Sequence, residues 1–287
     1  MPSDSQKLLP DFIILGAMKC GTSTMAAQLG AQPGIFMTDP KEPNFFSDDP
    51  VHAKGISWYN SLFANAAPSD LKGEASTHYT KLPTFPKTME RMVKVLDAPK
   101  LIYMIREPVS RTVSHYIHEW TMGGIIKDID SALNTHPELI AYGCYARQIA
   151  PYVEQYGADS VFVTSLEAMN HAPEETLQRI CRFIGFDGVP EWIQEQALTN
   201  VSSERIRRFP LHSLLIENPM AETFRRTLVP QALRDRIKRS RQMRKRPVPS
   251  AENMARMHET FSADRKELHR LFPNRTDLDI CYPFAVS

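Results

Sequence analysis

A chain of 287 residues with 42% hydrophobic content can bury a full core in one large domain, and its formal net charge of +1 hides an uneven distribution. Between Arg205 and Arg246 thirteen Lys and Arg face only Glu217, Glu222 and Asp235, a patch suited either to an anionic ligand or to the wet face of an amphipathic helix. Cys20, Cys144, Cys181 and Cys281 form no CxxC pair, which speaks against zinc and disulfide frameworks, and no leader-like or membrane-length apolar run occurs near the N-terminus, so a reducing, cytoplasmic setting without a membrane span is expected.

In chain order, residues 1–10 read as a disordered tail and 11–287 as a single domain without internal repeats. Phe12 to Leu15 is a short apolar run closed by Gly16, the pattern of a strand buried on both faces of a parallel sheet. Thr22 to Gly30 reads as a helix opened by hydroxyl residues, and Gly34 to Met37 as the second strand. Lys100 to Ile105 is another buried strand, followed by Arg106-Glu107-Pro108 with Pro at a first helical position. The next helix places Val109, Val113, Tyr116, Ile117 and Trp120 on one stripe. Ser160 to Thr164 is a further strand, and Pro173 to Ile184 an amphipathic helix. Strands alternating with helices predict an α/β fold: a P-loop-like parallel sheet flanked by helices. The less regular stretches, Met122 to Gly143 and Thr199 to Pro249, are placed as acceptor-binding or lid elements.

The turn Gly16-Ala17-Met18-Lys19-Cys20-Gly21-Thr22-Ser23-Thr24 joins strand to helix, the arrangement that points backbone N–H groups at a phosphate. It keeps the two glycines of GxxxxGK[ST], but Thr22 follows Gly21 and the lysine comes two positions earlier. No strand ends in an Asp placed to hold magnesium; Lys100 to Ile105 ends instead at Arg106. Both departures weigh against a nucleotide kinase or other metal-dependent phosphoryl transferase.

Asp11 to Met25, DFIILGAMKCGTSTM, resembles the 5′-phosphosulfate loop of sulfotransferases that use 3′-phosphoadenosine-5′-phosphosulfate (PAPS), nearest to their heparan-sulfate-type and related bacterial branch. Lys41-Glu42-Pro43-Asn44-Phe45-Phe46 resembles that branch's KE-x-x-FF segment, and Tyr103 to Tyr116, YMIREPVSRTVSHY, its 3′-phosphate segment. Arg244-Lys245-Arg246 occupies the place of its basic loop, and Met254 to Phe272 the closing helix. The resemblance spans about residues 11 to 273 with its motifs in order. It implies sulfuryl transfer from PAPS to a hydroxyl of a glycan or small metabolite, leaving 3′-phosphoadenosine-5′-phosphate (PAP), without a metal. A nucleotide kinase and a non-enzymatic polyanion-binding module are the alternatives; nucleic acid is not an expected partner, and the oligomeric state is left open.

The implied roles fall on particular residues. Lys19 reaches the bridging oxygen, while Cys20, Gly21, Thr22, Ser23 and Thr24 hold the 5′-phosphate. Arg106 and Ser114, with Arg244, Lys245 and Arg246, take the 3′-phosphate. Glu42 is the expected base, with burial by Phe45 and Phe46 expected to raise its pKa; His78 and His118 are rival bases. One departure stands out: where several glycan sulfotransferases have a lysine and a proline in the segment after the Gly-Glu pair, this chain has Ala75 and Thr77. Trp58 and Tyr59 fit either an acceptor cleft or plain core.

Overall fold

Five strands, β1 (Phe12–Gly16), β2 (Ile35–Met37), β3 (Leu71–Ala75), β4 (Lys100–Ile105) and β5 (Val161–Ser165), form one sheet in the order β2-β3-β1-β4-β5. All four pairings are parallel. The computed structural model describes residues 9–198, 243 and 245–285; residues 1–8, Arg244 and the basic stretch up to Arg241 lie outside the described residues.

The apolar runs explain the centre of the sheet. Phe12, Ile13, Ile14 and Leu15 are wholly buried, as are Leu101 to Ile105, because a parallel sheet with helices on its faces shields its middle strands from both sides. The main helices are α1 (Thr22–Gly30), α2 (Pro108–Met122), α3 (Tyr145–Tyr156), α4 (Leu166–His171), α5 (Pro173–Ile184) and α6 (Ala251–Leu271). The start of α2 follows from its sequence: Glu107 accepts from the Val109 and Ser110 amides at 2.9 and 2.6 Å, and Pro108 fills a first-turn position that needs no donor. Glu107 is therefore a helix cap rather than an ion-pair partner of Arg106.

The strand β3 is not apparent in the sequence, since Leu-Lys-Gly-Glu-Ala has neither an apolar run nor alternation. Gly73 is there because the Phe12 ring and the Met37 sulfur pack where its Cβ would lie, at 2.2 and 2.7 Å. Next to it Glu74 is fully buried beside Tyr59 and Tyr79. Burial pushes its carboxyl up to about 7 from the ordinary 4.5. The two tyrosine hydroxyls and Ser76 oppose that shift, but no group completes a hydrogen bond of normal geometry to either carboxyl oxygen, so burial decides the direction.

A carboxyl raised in the folded state stabilises it fully below about 4.5 and ceases to do so as pH rises through about 7. Glu74→Gln, which cannot ionise, should match wild type near pH 4 and exceed it by about 3 kcal/mol near pH 8. Denaturant midpoints measured across that range check this; parallel pH profiles would contradict it.

Candidate active site

The chain passes from β1 to one side of the sheet for β2 and β3, then returns to β4 on the other side of β1. The carboxyl ends of β1 and β4 thus flank the point where strand order reverses, the usual ligand edge of an open α/β sheet. The phosphate-loop candidate and Arg106 meet there. The Ala17 amide donates to the Met104 carbonyl at 2.7 Å, and Arg106 Nη1 donates to the Lys19 carbonyl at 3.4 Å.

Within the loop Lys19 and Gly21 take left-handed backbone, with φ of 69° and 86°. Gly21 caps α1 without any side-chain bond, and the first intrahelical amide to find a carbonyl is that of Met25, donating to Gly21 at 3.1 Å. The amides of Thr22, Ser23 and Thr24 are left for an external acceptor at the positive end of the helix. Only glycine suits position 21, where a Cβ would come within 2.9 Å of both Leu166 and Met169 on a backbone that side chains disfavour. Cys20 belongs to the wall of the loop: its thiol is buried 3.6 Å from the Tyr145 hydroxyl, and its amide donates to Ala17.

Lys19 is half-buried, and its ammonium has no hydrogen bond or ion pair among the described residues. Burial, then the Arg106 charge, lowers its pKa, against the charges of Cys20, Glu42 and Glu119. Arg106 is itself held by a residue the sequence reading missed. The buried Tyr145 hydroxyl accepts from the Arg106 amide at 3.3 Å and donates to its carbonyl at 2.7 Å. Ser114 lies two turns into α2, half-buried and without a partner among the described residues. Arg246 is brought to the same helix face, donating from Nη2 to the Ser110 carbonyl at 3.0 Å, whereas Lys245 is exposed.

The segment around Glu42 is pinned across the end of β3. The Glu42 amide donates to the Ala75 carbonyl at 2.9 Å and the Asn44 amide to Ser76 Oγ at 3.0 Å. Phe45 and Phe46 are buried, and Tyr59 stacks on Phe45 at 4.5 Å, so Tyr59 is core. Among the described residues the non-glycine positions with left-handed backbone are Lys19, Glu42 and Asn44. Such conformations cost on the order of 1 kcal/mol each and persist where a site requires them. Two of the three are the lysine and carboxylate that the sequence singles out.

Glu42 Oε1 pairs with Lys41 Nζ at 2.9 Å, and Oε2 accepts from the Thr77 hydroxyl at 3.0 Å. The expected upward pKa shift is corrected here. Burial acts upward, but the Lys41 charge and hydrogen bond, the Thr77 hydroxyl and the Lys81 charge outweigh it and hold the carboxyl below its ordinary value. The hydroxyl of Thr77, the residue that departs from the glycan-enzyme pattern, is one of these partners.

His78, next to Thr77, bonds Asp48 through Nδ1 at 3.1 Å and stacks on Phe85 at 4.5 Å. Burial, then Lys81, lowers its pKa against Asp48 and Glu42. His118 is half-buried on α2, lowered by burial and by Lys19. A cleft of about 480 Å³ opens beside the Asp48–His78 pair, lined among others by Val51, Thr84 and Phe85. Among the described residues no cluster of His, Cys, Asp or Glu is arranged to hold a metal ion.

A family model for the sulfotransferase domain matches residues 9–240. The chain belongs to that family. It is 28% identical over 191 residues to heparan sulfate glucosamine 3-O-sulfotransferase 3B1 of Mus musculus, covering 62% of this chain and 47% of that protein. It is 35% identical over 111 residues to the membrane-associated sulfotransferase kil1 of Dictyostelium discoideum, covering 38% and 22%. The chain therefore spans about half the length, or less, of the curated relatives it matches. A sulfotransferase from Alicyclobacillus acidocaldarius shares the fold with a TM-score of 0.65 at 22% identity, over 94% of this chain and 98% of that one. The P-loop-like parallel α/β expectation agrees with that likeness, and family membership leaves the kinase and polyanion-module alternatives without support.

Proposed function

We propose that the chain transfers a sulfuryl group from PAPS to a hydroxyl of a glycan or small metabolite and releases PAP. The observation that carries this reading is the Lys19 ammonium, without a hydrogen bond or ion pair among the described residues, in the loop that leads into the open first turn of α1 and under the charge of the Glu42 carboxylate. The donor set fits the nucleotide: α1 amides for the 5′-phosphosulfate, and Arg106, Ser114 and Arg246 on one face of the β4–α2 junction for the 3′-phosphate. In the transfer, Glu42 takes the acceptor proton, the freed oxygen bonds to sulfur, and the bond from sulfur to the phosphate oxygen breaks. Lys19 stabilises the charge left on that oxygen. His78 and His118 remain the competing bases.

The relatives named for heparan sulfate glucosamine support a glycan hydroxyl, and the cleft beside Asp48 and His78 supports entry of the acceptor on the Glu42 side. The reducing, cytoplasmic setting expected from the cysteine pattern stays part of this proposal. Among the described residues no helix is long and apolar enough to cross a membrane.

The test is nucleotide binding. PAP should raise the unfolding temperature well beyond an equal concentration of AMP, because a ligand bound only to the folded state stabilises by mass action, by about 2.7 kcal/mol at a hundredfold excess over Kd. Arg106→Ala should abolish the difference. Equal shifts from PAP and AMP with the intact protein would overturn the 3′-phosphate assignment.

A further inference from the structure

Lys81 follows the 3-10 turn Thr77–Thr80 and is only 9% exposed, among the most buried charged side chains described. Its backbone is fixed from both sides. Its carbonyl accepts from the Thr84 and Phe85 amides at 2.8 and 3.2 Å, and Leu82 is clamped by Gln148, whose side chain accepts from the Leu82 amide and donates to its carbonyl. Burying an ammonium costs several kcal/mol unless it is paired. Yet among the described residues its Nζ makes no hydrogen bond and no ion pair within 4.0 Å; it only faces the Tyr142 ring, 6.0 Å from the centroid. Nor is it among the sealed polar atoms without a partner, so the ammonium at the end of the buried stem still touches solvent.

What surrounds it shows where that opening leads. Glu42, Glu119 and Asp48 lie within electrostatic reach of Lys81, and Glu42 and Glu119 also lie within reach of Lys19. His118 feels both lysines. The two residues three and four positions before Lys81 hold the acceptor side of the site: Thr77 bonds Glu42 and His78 bonds Asp48. The charges of Lys19 and Lys81 thus interact with one carboxylate from two different elements, the phosphate loop and the end of the 3-10 turn. A backbone-fixed, desolvated cation with no anionic partner among the described residues and only the Tyr142 ring 6.0 Å away, under the charge of the Glu42 base, fits an anionic group that arrives with the substrate.

We propose that Lys81 is a second catalytic cation, whose ammonium contacts the oxygens of the sulfuryl group as it passes from the phosphate side at Lys19 to the acceptor side at Glu42. This rests on the sulfotransferase reading above. The group being transferred keeps its three oxygens throughout, so Lys81 exchanges no proton. It stabilises charge on those oxygens, the kind of contact that acts on the transition state more than on the bound nucleotide.

The experiment compares Lys81→Met and Lys81→Arg with wild type in single-turnover transfer from PAPS, alongside PAP affinity by calorimetry and unfolding temperature. Lys81→Met keeps the volume and removes the charge; its transfer rate should fall on the order of 10²-fold. PAP affinity should stay within about twofold, because PAP has no sulfuryl group, and Lys81→Arg should recover part of the rate. A Lys81→Met rate near wild type overturns the proposal. So does a loss of PAP affinity equal to the loss of rate, which would make Lys81 a nucleotide-binding or structural residue. If Lys81→Met does not fold, Lys81→Arg decides: a well-folded Arg variant with rate and PAP affinity lost together is the contradicting result. Failure of wild type itself to transfer the group would instead overturn the underlying sulfotransferase reading.

Discussion

Glu42→Gln should lower turnover roughly 10²- to 10⁴-fold, the range for loss of a general base, while PAP affinity barely changes. The substitution keeps the size of the side chain and its ability to accept from Thr77, which holds Oε2 at 3.0 Å. It removes the ability to take a proton. The carboxyl sits below its ordinary value, held down by Lys41, Thr77 and Lys81 despite burial, so it is ionised near neutrality without further activation. That makes it a weaker base than a raised carboxyl, and its contribution depends on position instead. The position is costly and fixed: φ of 61°, with its amide tied to Ala75. The comparison set is His78→Ala and His118→Ala. His78 is occupied by Asp48 and stacked on Phe85, so its loss should disturb the cleft wall more than the proton transfer. An active Glu42→Gln beside an inactive histidine variant that still binds PAP would transfer the role to that histidine.

Lys19→Ala should lower turnover on the order of 10²- to 10³-fold, the scale for losing one preorganised donor at a developing charge. The fold should survive, since the ammonium has no partner among the described residues and the loop is held by backbone bonds through Ala17 and Cys20. The left-handed backbone at position 19 is retained in the variant, so ground-state nucleotide binding through the α1 amides should be largely kept. Steady-state turnover and PAP calorimetry check both halves. A variant with near-normal turnover would place the leaving-group contact on another residue.

The legible parts of this fold are those where chemistry and periodicity agree. Phe12 to Leu15 and Lys100 to Ile105 announce themselves because buried parallel strands need apolar side chains on both faces. Pro173–Ile184 was readable to the residue because Pro opens it and Gly185 closes it in left-handed backbone. By contrast β3 is hidden, since its buried carboxylate and its glycine are set by Tyr59 and Phe12, distant in sequence, together with Tyr79 in the turn that follows. The site shows the same division. Lys19, Glu42 and Arg106 are marked by their motifs, but the pairing of Thr77 with Glu42, the clamp of Tyr145 on Arg106 and the open ammonium of Lys81 arise only when β1, β3, β4 and α3 come together. The Glu42 carboxyl shifts down rather than up because Lys41, adjacent in sequence, pairs with it, and Thr77 and Lys81 add to that from another segment, together outweighing burial beside the phenylalanines.

The most direct test of the account is transfer of label from ³⁵S-PAPS to a panel of carbohydrate, phenol and aliphatic alcohol acceptors, run in the presence of EDTA. The account predicts label in at least one acceptor, one PAP released per sulfate ester formed, and loss of both with Lys19→Ala. No labelled acceptor and no PAP release above the uncatalysed rate, from folded wild-type protein across the whole panel, would contradict it.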